Sequence, residues 1–337
     1  MSSISVPLNS DKHPNIRPMS MFRDLPAVAD LIELCFADSM DRDGRRYIAD
    51  MRSASRDNSF LKWASGMTET ASLPLTGFVW EEDDRIIGNA SVIPFRDKGR
   101  RIYLIANIAV HPDYRRRGIG RILTQRAMQH GWSKKTSALW LHVRDDNPGA
   151  IQLYSDLGFQ EMAHRTTWIA KPDSLLPQPT TDIQIVTRHP RFWTQQQDWL
   201  RRLNPDVLSW YHPININSLR PGLLNWLYLM FIDMDIKQWA AVQNDKLLAT
   251  LAWTMASGRS DSLIGATPPQ GQVESSTDAL AQLLIHARRV LARRATLSLE
   301  YPGGEMREAF ISAGFTERRT LLWMRAEPAT QRRSLRS

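Results

Sequence analysis

Apolar positions in the first half of the chain switch between a spacing of about 3.6 and a spacing of 2, the periods of a helix face and a strand face. "IRPM" begins as a short strand, and Val28, Leu31, Ile32 and Cys35 form one helical stripe behind Asp24, which is placed to cap that helix. A second helix is expected over Arg45 to Ala64. "TGFVWEEDDRIIGNASVIPF" alternates around the acidic turn Glu81 to Asp84 and reads as an antiparallel hairpin. "RRIYLIANIAV" is apolar at nearly every position, which predicts a strand buried on both faces, ending near Val110 because Pro112 has no N–H for a ladder. Ile119, Ile122, Leu123, Ala127 and Met128 return to helical spacing, with Gly131 as the expected stop. "SALWLHVRDD" is a further strand, and "NPGAIQLYSDLGF" a short helix with Asn147 as cap and Pro148 in its first turn.

After "TTWIA" the periodicity breaks in "KPDSLLPQPTTD", whose three prolines mark a linker. The chain therefore divides into a tail at 1–14, a domain at 15–172, a linker at 173–180, a second domain at 181–327 and a basic tail at 328–337. The second domain repeats familiar patterns. "KQWAAVQNDKLLATLAWTMAS" is a hairpin turning at Asn244 and Asp245, "STDALAQLLIHARRVLARRA" is an amphipathic helix, and "AGF" before the final strand echoes "LGF" at 157–159.

Composition narrows the class. A chain of 337 residues exceeds one ordinary core of roughly 100–200 residues. Twelve tryptophans and an ordinary charged fraction provide for packed domains and exclude global disorder. The single cysteine, Cys35, rules out an intrachain disulfide and a cysteine-based zinc cluster, and no metal is expected. The N-terminal segment lacks a signal core and no run reaches about 20 apolar residues, so a cytoplasmic protein without a membrane partner is expected. The net charge of +8 is dispersed apart from "YRRRG" and "QRRSLRS", so nucleic acid is not an expected partner. A homodimer stays open.

The basic cluster lies in "NIAVHPDYRRRGIG", at a junction from strand to helix. Glycines there let the backbone turn tightly and present successive N–H groups beside the positive end of a helix, which makes an anion cradle. The spacing is neither a Walker loop nor a G-x-G-x-x-G dinucleotide turn. Arg115, Gly118 and Gly120 match R/Q-x-x-G-x-G/A, and Asn147, Ala150, Leu153, Tyr154, Gly158 and Phe159 match N-x-x-A-x-x-L-Y-x-x-x-G-F. On these two signatures the region from about residue 15 to 170 resembles the GCN5-related N-acetyltransferase superfamily. The resemblance implies an α/β (α+β) fold with a mixed, mostly antiparallel central sheet flanked by helices, here in tandem.

What the resemblance implies for the site follows residue by residue. Backbone amides from Arg115, Arg116, Arg117, Gly118, Ile119, Gly120 and Arg121 would surround the pyrophosphate of acetyl-CoA. Ile108 and Val110 would lend backbone groups to the pantetheine arm and thioester. Asn147 would touch the pantetheine or cap its helix, and Tyr154 would protonate the departing thiolate, unless it is only a core tyrosine. Many relatives carry a carboxylate base in the strand where this chain reads "ANIAV", with Asn107 instead. His142, twelve residues before Tyr154, stands where ribosomal-protein alanine acetyltransferases carry a glutamate; an unperturbed imidazole titrating near about 6.5 suits a base, and a satisfied buried histidine is the competing reading. Water relayed through carbonyls is the remaining route.

In the second domain, setting Gly314-Phe315 against Gly158-Phe159 puts Phe310 opposite Tyr154, and no R-x-x-G-x-G is present. This domain reads as a degenerate copy that cannot catalyse. The expected activity is transfer of acetyl from acetyl-CoA to a primary amine of a small molecule, peptide or protein N-terminus; the alternative is a non-catalytic acyl-CoA-binding sensor or regulatory protein. The acceptor would be chosen by Arg42 to Met67 and Ala163 to Trp168, which carry no readable pattern. Tryptophans 193, 199, 210, 226 and 239 read as core packing or a domain interface rather than as a pocket.

Overall fold

The computed structural model describes residues 13–37, 40, 42–54, 76–172, 182–211, 216–222, 235–254, 261–269, 271–272, 275–291 and 296–328. Residues 1–12 and 329–337 of the tails, the predicted linker, the end of the predicted second helix and Trp226 lie outside them. The chain forms two compact units: one takes residues up to Val143, Asn147–Glu161 and everything from Trp323, and the other takes Arg144–Asp146 and Met162–Leu322.

Unit 1 runs β1 (Ile16–Pro18), α1 (Met21–Phe36), α2 (Arg42–Ala54), β2 (Gly77–Glu82), β3 (Arg85–Asp97), β4 (Arg100–Val110), α3 (Ile119–Ser133), β5 (Ala138–Arg144) and α4 (Pro148–Asp156). β1 to β4 pair antiparallel in sequence order, and β5 joins β4 in parallel. The hairpin from β2 to β3 turns on Asp83 and Asp84, both at positive φ (51° and 57°), the geometry that matches strand twist. α1 and α2 bury Leu25, Val28, Ile32, Ile48 and Met51 against Val79.

Three expectations need correction. Asp24 is not the cap: Ser20 precedes the first turn, and Asp24 reaches back from inside α1 to accept from the Ser20 N–H. α2 starts at Arg42, three residues before Arg45. Gly131 does not end α3, which continues to Ser133; a Cβ there would lie 2.4 Å from Leu139, so the glycine serves helix-to-strand packing.

Unit 2 contains β6 (Gln160–Ala170, from Met162), β7 (Gln184–Thr187), α5 (Trp193–Leu203), β8 (Ile236–Gln243), β9 (Lys246–Thr254), β10 (Asp261–Ala266), α6 (Ser276–Val290), β11 (Leu297–Pro302), α7 (Arg307–Ser312) and β12 (Thr316–Ala326, to Leu322). β7 to β10 pair antiparallel in order and β11 joins β10 in parallel, repeating the pairing pattern of β1 to β5. The β8–β9 turn, Asn244 and Asp245, again has two positive φ angles (49° and 63°). Trp199 and Trp239 are buried in the core of this unit and Trp193 packs against it. β12 is divided along its length: through Leu322 it belongs to unit 2 and from Trp323 to unit 1.

Candidate active site

The two signature regions stand at the ends of neighbouring strands, β4 and β5. Parallel pairing covers only Ile102–Leu104 against Ala138–Trp140. The cause is in β4: Asn89 pairs Ala109 but Ser91 pairs Ala106, an irregularity that lets Asn107 adopt φ 52°. The Asn107 carbonyl is held by Asn89 Nδ2 at 2.9 Å, and its own Nδ2 donates to the Tyr47 hydroxyl at 2.9 Å. Past this point β4 is not buried on both faces as its sequence predicts. Ala106, Asn107, Ile108 and Val110 are half-exposed, and the strand segment Ile105–Val110 has no partner in β5.

Beyond β4 the loop is shaped by its own backbone. His111 Nδ1 accepts from the Asp113 N–H, Pro112–Tyr114 form a 3₁₀ turn, and Arg116 (φ 65°) and Gly118 (φ 80°) are left-handed. α3 starts at Ile119 with Gly118 as its cap position and no side chain on its first N–H groups, which leaves them facing outward with the helix dipole behind them. The two glycines differ. Among the described residues, a Cβ at Gly118 meets nothing within 4 Å, so φ alone requires glycine there, and a Cβ at Gly120 touches only Val110, at 3.8 Å. The protein's own packing thus gives no reason for glycine at position 120. A close-lying guest would.

The loop arginines are largely occupied by protein groups. Arg115 donates through Nε to the Val110 carbonyl at 3.2 Å, which Cys35 Sγ also approaches at 3.2 Å. Arg117 forks onto Glu82 at 3.1 Å and lies over the Tyr114 ring, and its guanidinium holds the Glu82 carboxyl below the usual range. Arg121 pairs with Asp156 at 2.6 Å. Among the described residues, only Arg116 of these four has no partner group.

After β5, Asn147 caps α4: its Oδ1 accepts from the Ala150 N–H at 3.1 Å. Tyr154 is buried (7 % exposed) against Phe159, and its hydroxyl has no hydrogen-bond partner among the described residues; burial pushes its ionisation far above the usual phenol range. His142, two residues past the paired part of β5, is half-buried with its ring 4.9 Å from that of Trp323. No group of three or more His, Cys, Asp or Glu among the described residues is placed to hold a metal ion. Unit 1 thus carries a glycine loop ahead of an uncapped helix start, a strand segment without a partner in β5, a buried phenol and a half-buried imidazole. The packing of Asn107 on Tyr47 was not foreseen, although a lone polar residue in an apolar strand was its visible signal.

The corresponding region of unit 2 is filled. Phe310 and Phe315 repeat the Tyr154–Phe159 ring geometry (6.3 Å and 70° against 6.3 Å and 68°), and the backbone bond between them recurs at 2.9 Å against 3.0 Å. Phe310 is fully buried and stacks on Trp168 at 4.7 Å. Tyr301 of β11 donates or accepts across to Thr267, just past β10, at 2.7 Å, and its ring lies 3.5 Å from where a Cβ on Gly265 would be. That bridge closes the ends of β10 and β11.

Residues 37–159 match the model of the acetyltransferase (GNAT) family. Over 76 residues, 23% of this chain and 45% of the relative, the sequence is 41% identical to the ribosomal protein bS18-alanine N-acetyltransferase of Escherichia coli (strain K12). Over 71 residues, 21% of this chain and 41% of the relative, it is 39% identical to the thialysine N-epsilon-acetyltransferase of Bos taurus. The chain thus spans under half the length of these curated relatives. A solved GCN5-related N-acetyltransferase from Sphaerobacter thermophilus shares the fold over 93% of this chain and 96% of its own, with a TM-score of 0.53 and 15% identity.

Proposed function

Because residues 37–159 belong to the acetyltransferase (GNAT) family, we propose that this protein transfers acetyl from acetyl-CoA to a primary amine, using the β4–α3 loop and Tyr154 of unit 1. The observation that supports the reading is the loss of β4–β5 pairing beyond Leu104, next to a loop whose following helix starts without a side-chain cap, together with a buried, protonated phenol in the same unit. Both curated relatives are named for acetylation at an amine nitrogen, which supports the acceptor class.

In this mechanism the Gly118–Gly120 backbone binds the donor's pyrophosphate and the free edge Ile108–Val110 aligns its pantetheine arm, with Asn147 holding α4 in place. The amine nitrogen attacks the thioester carbonyl carbon while a backbone N–H of that edge stabilises the oxyanion. As the C–N bond forms, the C–S bond breaks and the thiolate takes the Tyr154 proton. The proton lost by the amine goes to His142 or to water. Tyr154 suits its part because desolvation keeps it protonated; Phe310, its counterpart in unit 2, has no proton to give, and we assign unit 2 no chemistry.

The test is release of CoA thiol from acetyl-CoA by the full chain across a panel of amines, including peptide N-termini and lysine analogues. Turnover with at least one amine is expected. Absence of turnover with every amine, together with a rise in melting temperature on adding acetyl-CoA, would replace this reading by a non-catalytic acyl-CoA sensor.

A further inference from the structure

Unit 2 contains a cavity of about 360 Å³, a size within the range of small-molecule sites, which includes none of the groups given a chemical step above, although His164, Thr166 and Trp168 of its lining fall in the Ala163–Trp168 segment that the resemblance sets beside the acceptor. Its lining is built from the β6 face that carries His164, Thr166 and Trp168, from the start of α7 and from β12. Arg307 and Glu317 stand at it with Nε and Oε2 3.7 Å apart, too far for a hydrogen bond between them. The Glu317 carboxylate is nevertheless oriented. Thr320 donates its single hydroxyl proton to Glu317 Oε1 at 2.9 Å, so the 2.8 Å contact between the two threonine hydroxyls has Thr166 as donor. The chain Thr166–Thr320–Glu317 therefore ends on a carboxylate whose other oxygen is turned towards the guanidinium. Asp145 adds a second carboxylate to the lining. Trp168, on the same strand face two residues from Thr166, keeps a buried indole N–H that has no acceptor among the described residues.

We propose that this cavity binds a small zwitterion, an α-amino acid or the terminus of a short peptide, with its ammonium on Glu317 and Asp145 and its carboxylate on Arg307. The chemistry asks for both charges in one guest. A lone anion would have to sit beside two carboxylates, and a lone cation beside Arg307, whereas an ammonium and a carboxylate on one carbon alternate with the Arg307–Glu317 pair. A guest oxygen that reaches Trp168 would also give its indole N–H the acceptor it lacks. The acetyl-transfer reading is not needed for this inference, because the cavity lies wholly within unit 2 and involves neither Tyr154 nor the β4–α3 loop.

The experiment is calorimetric titration of the full chain, without acetyl-CoA, with the standard α-amino acids and dialanine, and with acetate and ethylammonium as half-ligands. At least one zwitterion is expected to bind, with both half-ligands weaker by tenfold or more. Arg307→Gln and Glu317→Gln should each weaken the zwitterion by at least tenfold, and Thr320→Val, which frees the carboxylate from its relay, by a smaller factor. The melting temperatures of Arg307→Gln and Glu317→Gln should stay near that of the parent, since both side chains are exposed. Tyr154→Phe should bind the zwitterion unchanged. The proposal is overturned if nothing in the panel binds at about 10 mM, if acetate alone binds as well, or if binding survives both charge substitutions. The last outcome would place the amino acid elsewhere, for example as the acyl acceptor of unit 1.

Discussion

At the scale of single residues, Gly118 and Gly120 separate what the fold needs from what a guest needs. At Gly118 the left-handed φ of 80° penalises any side chain, so Gly118→Ala should lower stability by about 1 kcal/mol. At Gly120 a methyl meets only Val110 at an ordinary distance, in the first turn of a helix. Gly120→Ala should therefore leave thermal stability equal or higher by up to about 1 kcal/mol, yet weaken acetyl-CoA binding at least tenfold by calorimetry. A variant that is both as stable and as good a binder would remove the close approach from the mechanism. Tyr154→Phe should lower kcat by about 10²-fold with acetyl-CoA affinity within twofold, the size of a lost general acid. The packing will tolerate it, because Phe310 already sits in the same geometry against Phe315. Since burial raises the Tyr154 ionisation, the acid stays loaded through the whole neutral and mildly alkaline range, and any fall in rate there belongs to another group. The helix starts at Gly118 and Asn147, and the place of Tyr154 within its helix, were legible in the sequence, because the spacing along the chain is itself the signal. That Arg115, Arg117 and Arg121 are engaged by Val110, Glu82 and Asp156 was not, because the partners lie up to 35 residues away.

At the scale of elements, the local rules carried far. Two acidic or amidic pairs, Asp83–Asp84 and Asn244–Asp245, turn both hairpins because these side chains tolerate positive φ. The start of α1 depended instead on a residue inside the helix. Burial by itself would raise the Asp24 carboxyl, but hydrogen bonds from Arg17, the Ser20 N–H and Arg23 outweigh it and hold the group below the usual carboxylate range. A carboxylate whose ionisation is depressed on folding stabilises the protein above its unfolded pKa, and that contribution fades as pH falls through the lower folded value. Asp24→Asn should thus cost about 2 kcal/mol at neutral pH, and the difference from the parent should shrink below pH 4 in melting curves taken across pH. A difference that stayed constant with pH would mean the loss was only one of packing. The irregularity in β4 belongs to this scale too. Its apolar run predicts a regular buried strand, and what breaks it is the grip of Asn89 on the Asn107 carbonyl, a contact between neighbouring strands that no single-strand pattern contains.

At the scale of the whole molecule, the repeat of three antiparallel pairings and one parallel pairing in both units follows from the repeated order of elements, which the sequence displays. The division of β12 does not. Unit 1 takes Trp323 to Ala326 from the far end of the chain, and Trp323, Met324 and Ala326 are all buried. Burying one large apolar side chain is worth about 1.5–3 kcal/mol, so losing Trp323 and Met324 removes a large share of a typical stability of about 5–15 kcal/mol. A chain ending at Leu322 should therefore lose unit 1 cooperatively, read as loss of acetyl-CoA binding and a low-temperature transition in calorimetry, and residues 15–172 alone should not fold. A stable, donor-binding 15–172 fragment would show the strand to be dispensable. The order of elements in unit 1, the two hairpin turns and the strand–loop–helix setting of residues 115–120 could be read from the sequence alone, because each depends on spacings of a few residues, whereas Gln184–Thr187, Trp193–Leu203 and Asp261–Ala266 carried no such signal. The tertiary structure decided where β4 lets go of β5, that Tyr301 and Thr267 close the matching gap in unit 2, and which unit owns each half of β12, because each of these is a contact between residues far apart in the chain.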